Sequence, residues 1–362
     1  MSNPPTTRPA RPRIGITLGD VAGIGPEVIV KAIASGDVFT WAEPLVIGHP
    51  DVLRRAVQLV GAPIEVVSVE SLDAVSELPR HSALSTQYSV LSTEHSALPC
   101  WNPTNDTAAH VPPARNDARA GRAAYEYLVA AIQAAKAGQV DAICTAPLSK
   151  AALHLARLDY PGHTEILAEQ CGVREFAMML YLPPGEMLHG PNGLGVVHVT
   201  LHTSLRSVPD LITTESVLEK IRLVHEFMQT ISGRPPRVGV CALNPHAGEE
   251  GLFGDEESRQ IGPAVAMAYG DGIAASGPFP ADTLLKRACD GEFDAVVAMY
   301  HDQGHIALKL IGFHRAVNVT LGLPIIRTSP SQGTAFDIAW QGVAKPDGML
   351  EAIRVAAKLT NV

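Results

Sequence analysis

The sequence has few cysteines and contains no long apolar run. Its five cysteines form no CxxC pair; they are Cys100, Cys144, Cys171, Cys241 and Cys289. An odd number without that spacing disfavours a disulfide framework and a zinc knuckle, so we expect reduced thiols in a cytoplasmic protein. No apolar run approaches the roughly 20 residues of a transmembrane helix, and the polar, Pro-rich start has no signal-peptide core. We therefore expect no membrane partner.

Positive charge is also scarce. The chain has 28 Lys and Arg residues against 37 Asp and Glu residues, which gives a net charge of -9. This sign disfavours nucleic acid or an anionic membrane as the main partner. It leaves room for a local basic pocket, so the expected partner is a small anionic molecule.

Strand-like and helix-like segments alternate along the chain, which predicts an α/β fold with parallel strands. The predicted strands are 13–20, 44–49, 64–69, 140–147, 176–182, 195–201, 237–243 and 294–300. The predicted helices start at about residue 26 and cover 51–62, 118–138, 207–231 and 256–270. Residues 1–12 are interpreted as a disordered tail and 70–118 as a surface excursion. A length of 362 residues suits two domains.

Three of the predicted strands lead into a histidine. GVVHVTLH ends at His202, VGVCALNPH at His246 and AVVAMYH at His301. Ligands of open α/β sheets bind beyond the carboxyl ends of the strands, so three imidazoles there could converge on one cation. Three protein ligands with an open position are typical of a catalytic metal site. The alternative is that each is a hydrogen-bonded loop residue, since the chain has 14 histidines.

Charged and polar residues follow the third histidine. Asp302 is adjacent to it, and Asp282 in PADT could orient a ligand or accept a proton. Lys309, Asn318 and Arg327 lie in apolar surroundings and could hold an anionic group. The alternative for Lys309 and Arg327 is a solvated surface charge.

A Pro-Gly turn, PGHTE, presents His163 and Thr164. A hydroxyl and an imidazole at a turn could bind a phosphate or carboxylate oxygen. Thr164 also fits the N-cap of the following helix, and a helix N-terminus is itself an anion site.

Residues 331–347, SQGTAFDIAWQGVAKPD, resemble the adenosine-binding loop of isocitrate and isopropylmalate dehydrogenases. Gly333, Thr334 and Asp337 are the cofactor-binding candidates. An Asp on such a loop meets the ribose hydroxyls and would repel a 2′-phosphate, which favours NAD over NADP. Gln332 stands where this loop usually starts with His. The earlier GDVAGIGPE segment is a poor match to a dinucleotide fingerprint because its third glycine is missing.

The chain as a whole resembles the 4-hydroxythreonine-4-phosphate dehydrogenase family of pyridoxal phosphate biosynthesis. The matching stretches run in order from residue 19 to about 340; they are GDVAGIGPE, TAPLSK, YPGHTE, VTLHTSLR, LNPHAGE, GPFPADT, MYHDQGH, VNVTLGLPIIRTS and GTAFDIA. The resemblance implies an isocitrate dehydrogenase-like fold of two α/β/α domains with the active site in the cleft. Residues 13–141 with 312–362 would form the first domain and 142–311 the second.

The resemblance also assigns residues. It implies that His202, His246 and His301 hold one divalent cation (Zn, Mn, Co, Ni or Mg), the last from the partner subunit of a homodimer. The implied substrate contacts are His163, Thr164, Lys309, Asn318 and Arg327. The implied reaction is NAD-linked oxidation of a β-hydroxy acid followed by decarboxylation, for which Asp282, Asp302 and Lys309 are the catalytic candidates.

The substrate is the most open point. The retained GHT turn, Lys309, Asn318 and Arg327 favour phosphorylated hydroxythreonine. Alternatives are a four-carbon sugar-acid phosphate or the cis-dihydrodiol of terephthalate, which would give protocatechuate; Val21, where Pro is common, would suit a specialised paralogue. A three-His metal hydrolase is an alternative of another class, and the adenosine-like loop argues against it.

Overall fold

The computed structural model describes residues 11–72, 96–104 and 107–360. Most of the predicted tail and much of the predicted excursion lie outside these ranges. The chain forms two compact units, one reaching to Ile166 and resuming at Gln332, the other comprising residues 167–331. The domain boundaries expected at 141/142 and 311/312 stay a prediction.

The strands and helices are numbered in chain order. The strands are β1 (Arg13–Thr17), β2 (Glu43–Ile47), β3 (Ile64–Val69), β4 (Ser96–Trp101), β5 (Ala142–Thr145), β6 (Ala177–Leu182), β7 (Leu194–His198), β8 (Val238–Cys241), β9 (Ala275–Phe279), β10 (Ala295–Ala298), β11 (Val317–Leu321) and β12 (Arg327–Pro330). The helices are α1 (Gly25–Ala34), α2 (Val38–Trp41), α3 (Pro50–Val60), α4 (Ala118–Lys136), α5 (Lys150–Leu155), α6 (His163–Cys171), α7 (Val208–Leu211), α8 (Thr214–Ser232), α9 (Gly262–Gly270), α10 (Ala281–Cys289), α11 (His301–Gly312) and α12 (Asp347–Thr360).

The first unit is built on parallel strands in the order β3-β4-β2-β1-β5. Every residue of β1 and β5 is buried. Helices cover both faces of parallel sheets, which is why such strands are continuously apolar in sequence. The predicted α/β alternation is confirmed here.

Strand β4 was missed by the sequence analysis, which interpreted residues 70–118 as an excursion. It pairs in parallel with β3 along its whole length but with β2 only through Cys100 and Trp101. Pro99 lies before the pairing with β2 begins. The backbone N–H that proline lacks is therefore not needed for a hydrogen bond to β2. A proline inside a short strand hides the strand from pattern analysis.

The second unit has the strand order β12-β11-β6-β7-β10-β8-β9. Strand β10 pairs in parallel with both β7 and β8, whereas β6, β11 and β12 are antiparallel to their neighbours. Its apolar core includes Leu180, Val196, Leu284, Phe293, Val296 and Leu308. The carboxyl ends of β7, β10 and β8 thus lie side by side at one edge.

All five cysteines fall within the described ranges, and none of them forms a disulfide. The prediction that the cysteines form no disulfide framework is therefore confirmed. Among the helices of those ranges, none is both long and apolar enough to span a bilayer.

Asp20 is a buried acid in the turn between β1 and α1. Its side chain is 0 % exposed, and its Oδ1 accepts a hydrogen bond from the Ala22 N–H at 2.9 Å. Its Oδ2 has no hydrogen-bond partner among the described residues. Burial raises the pKa of Asp20 to about 6, and the negative charge of Asp117 adds to the rise.

We expect Asp20→Asn to stabilise the protein relative to wild type in a pH-dependent way. A carboxyl whose pKa is raised on folding stabilises the fold at low pH and ceases to do so as pH rises through the folded-state value. The advantage of the variant should therefore grow by about 2–3 kcal/mol between pH 4 and pH 8. Denaturant unfolding at both pH values, with the exposed Asp210→Asn as matched control, measures it; an advantage independent of pH would contradict the assignment.

Candidate active site

The three strand-end histidines lie beyond the three adjacent strands β7, β8 and β10. His202 follows β7, His246 follows β8, and His301 is the first residue of α11, directly after β10. Because β10 lies between β7 and β8 in parallel pairing, all three histidines leave the sheet at the same edge.

Only two of the three are brought close within one chain. The ring centroids of His202 and His301 are 5.9 Å apart. His246 is exposed, with its ring 6.4 Å from that of Phe253. Across the described ranges, no three His, Cys, Asp or Glu side chains are grouped closely enough to hold a metal ion.

Asp302 orients His301. Its Oδ1 lies 2.7 Å from the His301 Nδ1. A carboxylate hydrogen-bonded to one ring nitrogen fixes the tautomer and leaves the other nitrogen, Nε2, free to coordinate a metal ion. Asp282 lies in the first turn of helix α10. Its exposed side chain accepts a hydrogen bond from the Thr283 N–H at 2.9 Å.

Two further histidines, His198 and His305, pack in a row behind His301. His198 is 1 % exposed, as expected for a packed strand histidine, and its Nε2 lies 3.1 Å from the Nδ1 of His305. The His305 ring stacks on His301 with centroids 3.8 Å apart. Gly304 allows helix α11 to pack closely against His198, because a Cβ at this position would lie 2.5 Å from His198 Nε2.

Burial keeps this pair neutral. It lowers the pKa of His198 to about 3 and that of His305 to about 4, and neighbouring histidines lower both values further. Neutral imidazoles add no positive charge beside a candidate cation site. The i, i+4 spacing of His305 from His301 on α11 is the sequence signal for this stacking.

His246 stands in a backbone turn of unusual hand, Pro245–Gly251. Six consecutive residues have positive φ: His246 (54°), Ala247 (56°), Gly248 (79°), Glu249 (43°), Glu250 (54°) and Gly251 (96°). A left-handed conformation costs each non-glycine residue roughly 1–2 kcal/mol. Such strain persists only where surrounding structure enforces it, and it is frequent at functional sites.

The antiparallel pair β11–β12 carries a polar face. The register places Asn318 opposite Ser329, so Thr320 and Arg327 lie on the same face by alternation. Arg327 is 2 % exposed and its Nη1 donates to Thr320 Oγ1 at 3.0 Å. The Oδ1 of Asn318 is buried without a hydrogen-bond partner in the described structure. Asn318 and Arg327 were predicted, whereas Thr320 and Ser329 were missed although alternation along each strand would indicate them.

Lys309 shares one face of α11 with His301 and His305, since the three are spaced four residues apart. Its Nζ is 5.9 Å from the ring centroid of Phe313. Its charge also contributes to lowering the pKa of His305, after burial and His301. The helix thus presents a candidate metal ligand, a neutral support and a cation on one side.

His163 and Thr164 begin helix α6, in the first unit. The helix starts at His163, so Thr164 lies inside the first turn and its predicted N-cap role is wrong. Both side chains are half-buried at a helix N-terminus, where the peptide N–H groups favour anions.

The candidate cofactor loop is tied to the turn after β1. The Ile24 N–H donates to the Thr334 carbonyl at 3.0 Å, and Trp340 Nε1 donates to the Val21 carbonyl at 3.0 Å. Gly333 and Asp337 are exposed. The Nε2 of Gln332, at the loop's first position, is buried and lacks a partner among described residues.

Helix α1 holds the far end of this loop. The buried Glu27 carboxylate accepts hydrogen bonds from the N–H groups of Gly342 (3.2 Å) and Ala344 (2.8 Å). Lys31 Nζ donates to Glu27 at 2.9 Å and to the carbonyls of Gly342 and Ala344 at 2.8 and 2.7 Å. These charge-assisted hydrogen bonds engage both the backbone N–H groups and the backbone carbonyls of Gly342 and Ala344, and so fix the loop backbone.

Comparison with known proteins gives a consistent match over the chain. The family model "Pyridoxal phosphate biosynthetic protein PdxA" matches residues 40–356. The chain is 42 % identical over 352 residues to the 4-hydroxythreonine-4-phosphate dehydrogenase of Geobacter metallireducens, covering 97 % of this chain and 96 % of that protein. It is 43 % identical over 349 residues to the D-threonate 4-phosphate dehydrogenase of Cupriavidus necator, covering 96 % and 97 %.

A solved structure agrees. The crystal structure of a 4-hydroxythreonine-4-phosphate dehydrogenase from Burkholderia phymatum is similar, with a TM-score of 0.77 and 43 % identity, and the match covers 96 % of this chain and 98 % of that one. The similarity therefore extends over both compact units.

We expect glycine to be tolerated in the left-handed turn and costly elsewhere. Ala247→Gly removes the Cβ clash at φ 56°, which offsets the entropy that glycine loses on folding, so the free energy of unfolding should stay level or rise by up to about 1 kcal/mol. Ala130→Gly, also half-buried but inside α4, should lose about 1 kcal/mol. Denaturant unfolding of both variants measures this; equal losses would argue against a left-handed turn.

Proposed function

The chain belongs to the PdxA family of pyridoxal phosphate biosynthetic proteins, and from this we propose that it oxidises a phosphorylated β-hydroxy acid with NAD and then decarboxylates it. Its relatives are named dehydrogenases, so the chain is an oxidoreductase. The leading substrate is 4-hydroxythreonine 4-phosphate, and the expected location is the cytoplasm.

The polar face of β11–β12 is the observation that carries the proposal. The planar guanidinium of Arg327 matches a phosphate or carboxylate in a two-bond geometry, and Thr320 fixes one of its nitrogens. The buried Oδ1 of Asn318 can accept a hydrogen bond from a hydroxyl or ammonium group of the substrate. Buried polar groups of this kind suit a substrate that is both anionic and a hydrogen-bond donor.

A second substrate is favoured by one relative. D-Threonate 4-phosphate, named for the Cupriavidus protein, is also a four-carbon hydroxy acid with a terminal phosphate. The two substrates differ at C2, which carries an ammonium group in one and a hydroxyl in the other. The terephthalate dihydrodiol has no phosphate. A terephthalate 1,2-cis-dihydrodiol dehydrogenase from Burkholderia xenovorans is similar at 30 % identity and a TM-score of 0.63, both lower than the values for the 4-hydroxythreonine-4-phosphate dehydrogenase structure.

The histidines fit a divalent cation by their chemistry. Imidazole nitrogens suit Zn, Mn, Co or Ni, and Asp302 leaves the His301 Nε2 as its donor atom. When bound, the cation would supply positive charge for the substrate oxygen that becomes electron-rich during oxidation and loss of CO₂. Asp282, Asp302 and Lys309 remain the candidates for proton transfer. Of these, Lys309 lies on the same face of helix α11 as His301, and Asp302 contacts the His301 ring.

We propose that His301 acts across a homodimer, in a site whose His202 and His246 come from the other chain. This division of the ligands follows the family resemblance; in the described part of one chain the three do not form a metal site, although the rings of His202 and His301 are 5.9 Å apart. The segments that carry two of the ligands also carry exposed apolar side chains: Leu252 is 72 % exposed after the His246 turn, and Leu310 is 83 % exposed on α11. Apolar surface of this kind favours association.

The loop at 331–347 fits NAD. Asp337 is exposed and suits the ribose hydroxyls, and the unpaired Nε2 of Gln332 could donate to the adenine. NAD would accept the hydride released from the β-carbon. A hydrolase would have no use for this loop.

We expect turnover of 4-hydroxythreonine 4-phosphate with NAD⁺ and Zn²⁺ or Mn²⁺, little turnover with NADP⁺, and none of the terephthalate dihydrodiol. Arg327→Lys keeps the charge but loses the two-bond geometry, and should lower kcat/KM by about 10–100-fold. NADH absorbance with D-threonate 4-phosphate in parallel measures the preference. Equal use of NADP⁺ would contradict the proposed contact of Asp337 with the ribose hydroxyls. Turnover of the dihydrodiol alone would contradict the proposal of a phosphorylated substrate.

A shared site predicts complementation. His246→Ala and His301→Ala should each be inactive as homodimers. Subunits mixed, unfolded and refolded in equal amounts should regain about a quarter of wild-type activity, since half of the dimers are mixed and each has one intact site. Mixed subunits that stay inactive, although a mixed dimer is detected by native mass spectrometry, would contradict the shared site.

A further inference from the structure

Glu257 holds the end of strand β8, from which the His246 turn departs. Its side chain is 6 % exposed. Its Oε1 accepts hydrogen bonds from the backbone N–H groups of Leu243 (2.9 Å) and Asn244 (2.7 Å). A carboxylate that accepts two successive N–H groups fixes the direction of the backbone there.

The same carboxylate reaches the side chain before the turn. Asn244 Nδ2 donates to the Oε2 of Glu257 at 3.0 Å and to the Oε2 of Glu256 at 2.6 Å. Both hydrogens of the Asn244 amide are therefore used. The residue that starts the turn is held through its backbone and through its side chain.

Glu257 also faces the middle of the turn. A Cβ built on Gly248, where φ is +79°, would lie 2.8 Å from Glu257 Oε2 and 2.9 Å from the Gly254 carbonyl. The turn thus passes against the carboxylate so closely that only glycine fits. Glu257 contacts the two residues that precede Pro245 and borders the residue two places after His246.

These contacts explain how the strained turn persists. The isolated backbone disfavours left-handed geometry at His246, Ala247, Glu249 and Glu250, so neighbouring groups must impose it. Glu257 is the buried group that acts on both sides of His246. Without it, the turn would relax towards right-handed or extended geometry and the imidazole would move.

We propose that Glu257 is a positioning residue that holds His246 in the orientation needed to bind the cation. The inference rests on the proposed function, because it takes His246 as a ligand. Glu257 itself would not contact the cation.

The test is Zn²⁺ binding to the metal-free protein by calorimetry. Glu257→Gln keeps the shape of the side chain but puts an amide where one carboxylate oxygen accepts, so we expect Zn²⁺ affinity to fall by about 10–100-fold. Gly248→Ala displaces the turn while leaving the carboxylate intact, and should weaken binding by a similar factor. It also keeps the test decisive if Glu257→Gln does not fold.

Asp294→Asn is the matched control. Asp294 is 2 % exposed and accepts the Arg237 N–H at 2.9 Å, at the opposite end of the same strand β8. Its loss should lower the melting temperature as Glu257→Gln does, yet leave Zn²⁺ affinity within about 2-fold of wild type. Hydrogen exchange of residues 243–251 should rise in Glu257→Gln and stay unchanged in the control.

The outcomes separate the two proposals. Wild-type binding of Zn²⁺ that is lost in His246→Ala but unchanged in both Glu257→Gln and Gly248→Ala would overturn the positioning role alone. Wild-type protein that binds no Zn²⁺, or binds it equally in His246→Ala, would overturn the proposed metal site and the role of Glu257 with it. Weakening of equal size in Asp294→Asn would reduce Glu257 to a general stabiliser.

Discussion

The parallel pairing of β10 with both β7 and β8 is the constraint on which the candidate site depends. It brings three carboxyl ends to one sheet edge, so the residues that follow each strand enter the same region. A shift of β10 to another position would separate His301 from His202. The buried His198–His305 contact then fixes how helix α11 packs against β7, and so fixes the orientation of His301.

Much of this could be predicted from the sequence, because apolar strands followed by histidines have a strong signal. The alternation of strands and helices and the strand-end histidines followed from local patterns of apolar residues along the chain. The contribution of tertiary packing could not be read in this way. Strand β4 was hidden by Pro99, and the stacking of His305 on His301 depends on how α11 lies against β7.

The left-handed turn at His246 illustrates the limit most clearly. Only two of its six consecutive positive-φ residues are glycines, so propensity gives little sign of it. The geometry is imposed by Glu257, eleven places after His246, and no local pattern connects the two. The polar face of β11–β12 is an intermediate case: Asn318 and Arg327 were proposed from their residue types and again from the resemblance, while Thr320 and Ser329 required the register.

The attachment of the 331–347 loop to Glu27 and Lys31 has a consequence for protein engineering. The loop does not form a separable module, because its backbone donors and acceptors are satisfied by side chains more than three hundred positions earlier in the chain. A graft of this segment into another scaffold, or an exchange between homologues to alter nucleotide preference, would have to transfer the first helix as well. Chimaeras cut between these two regions would inherit a buried carboxylate facing the wrong backbone.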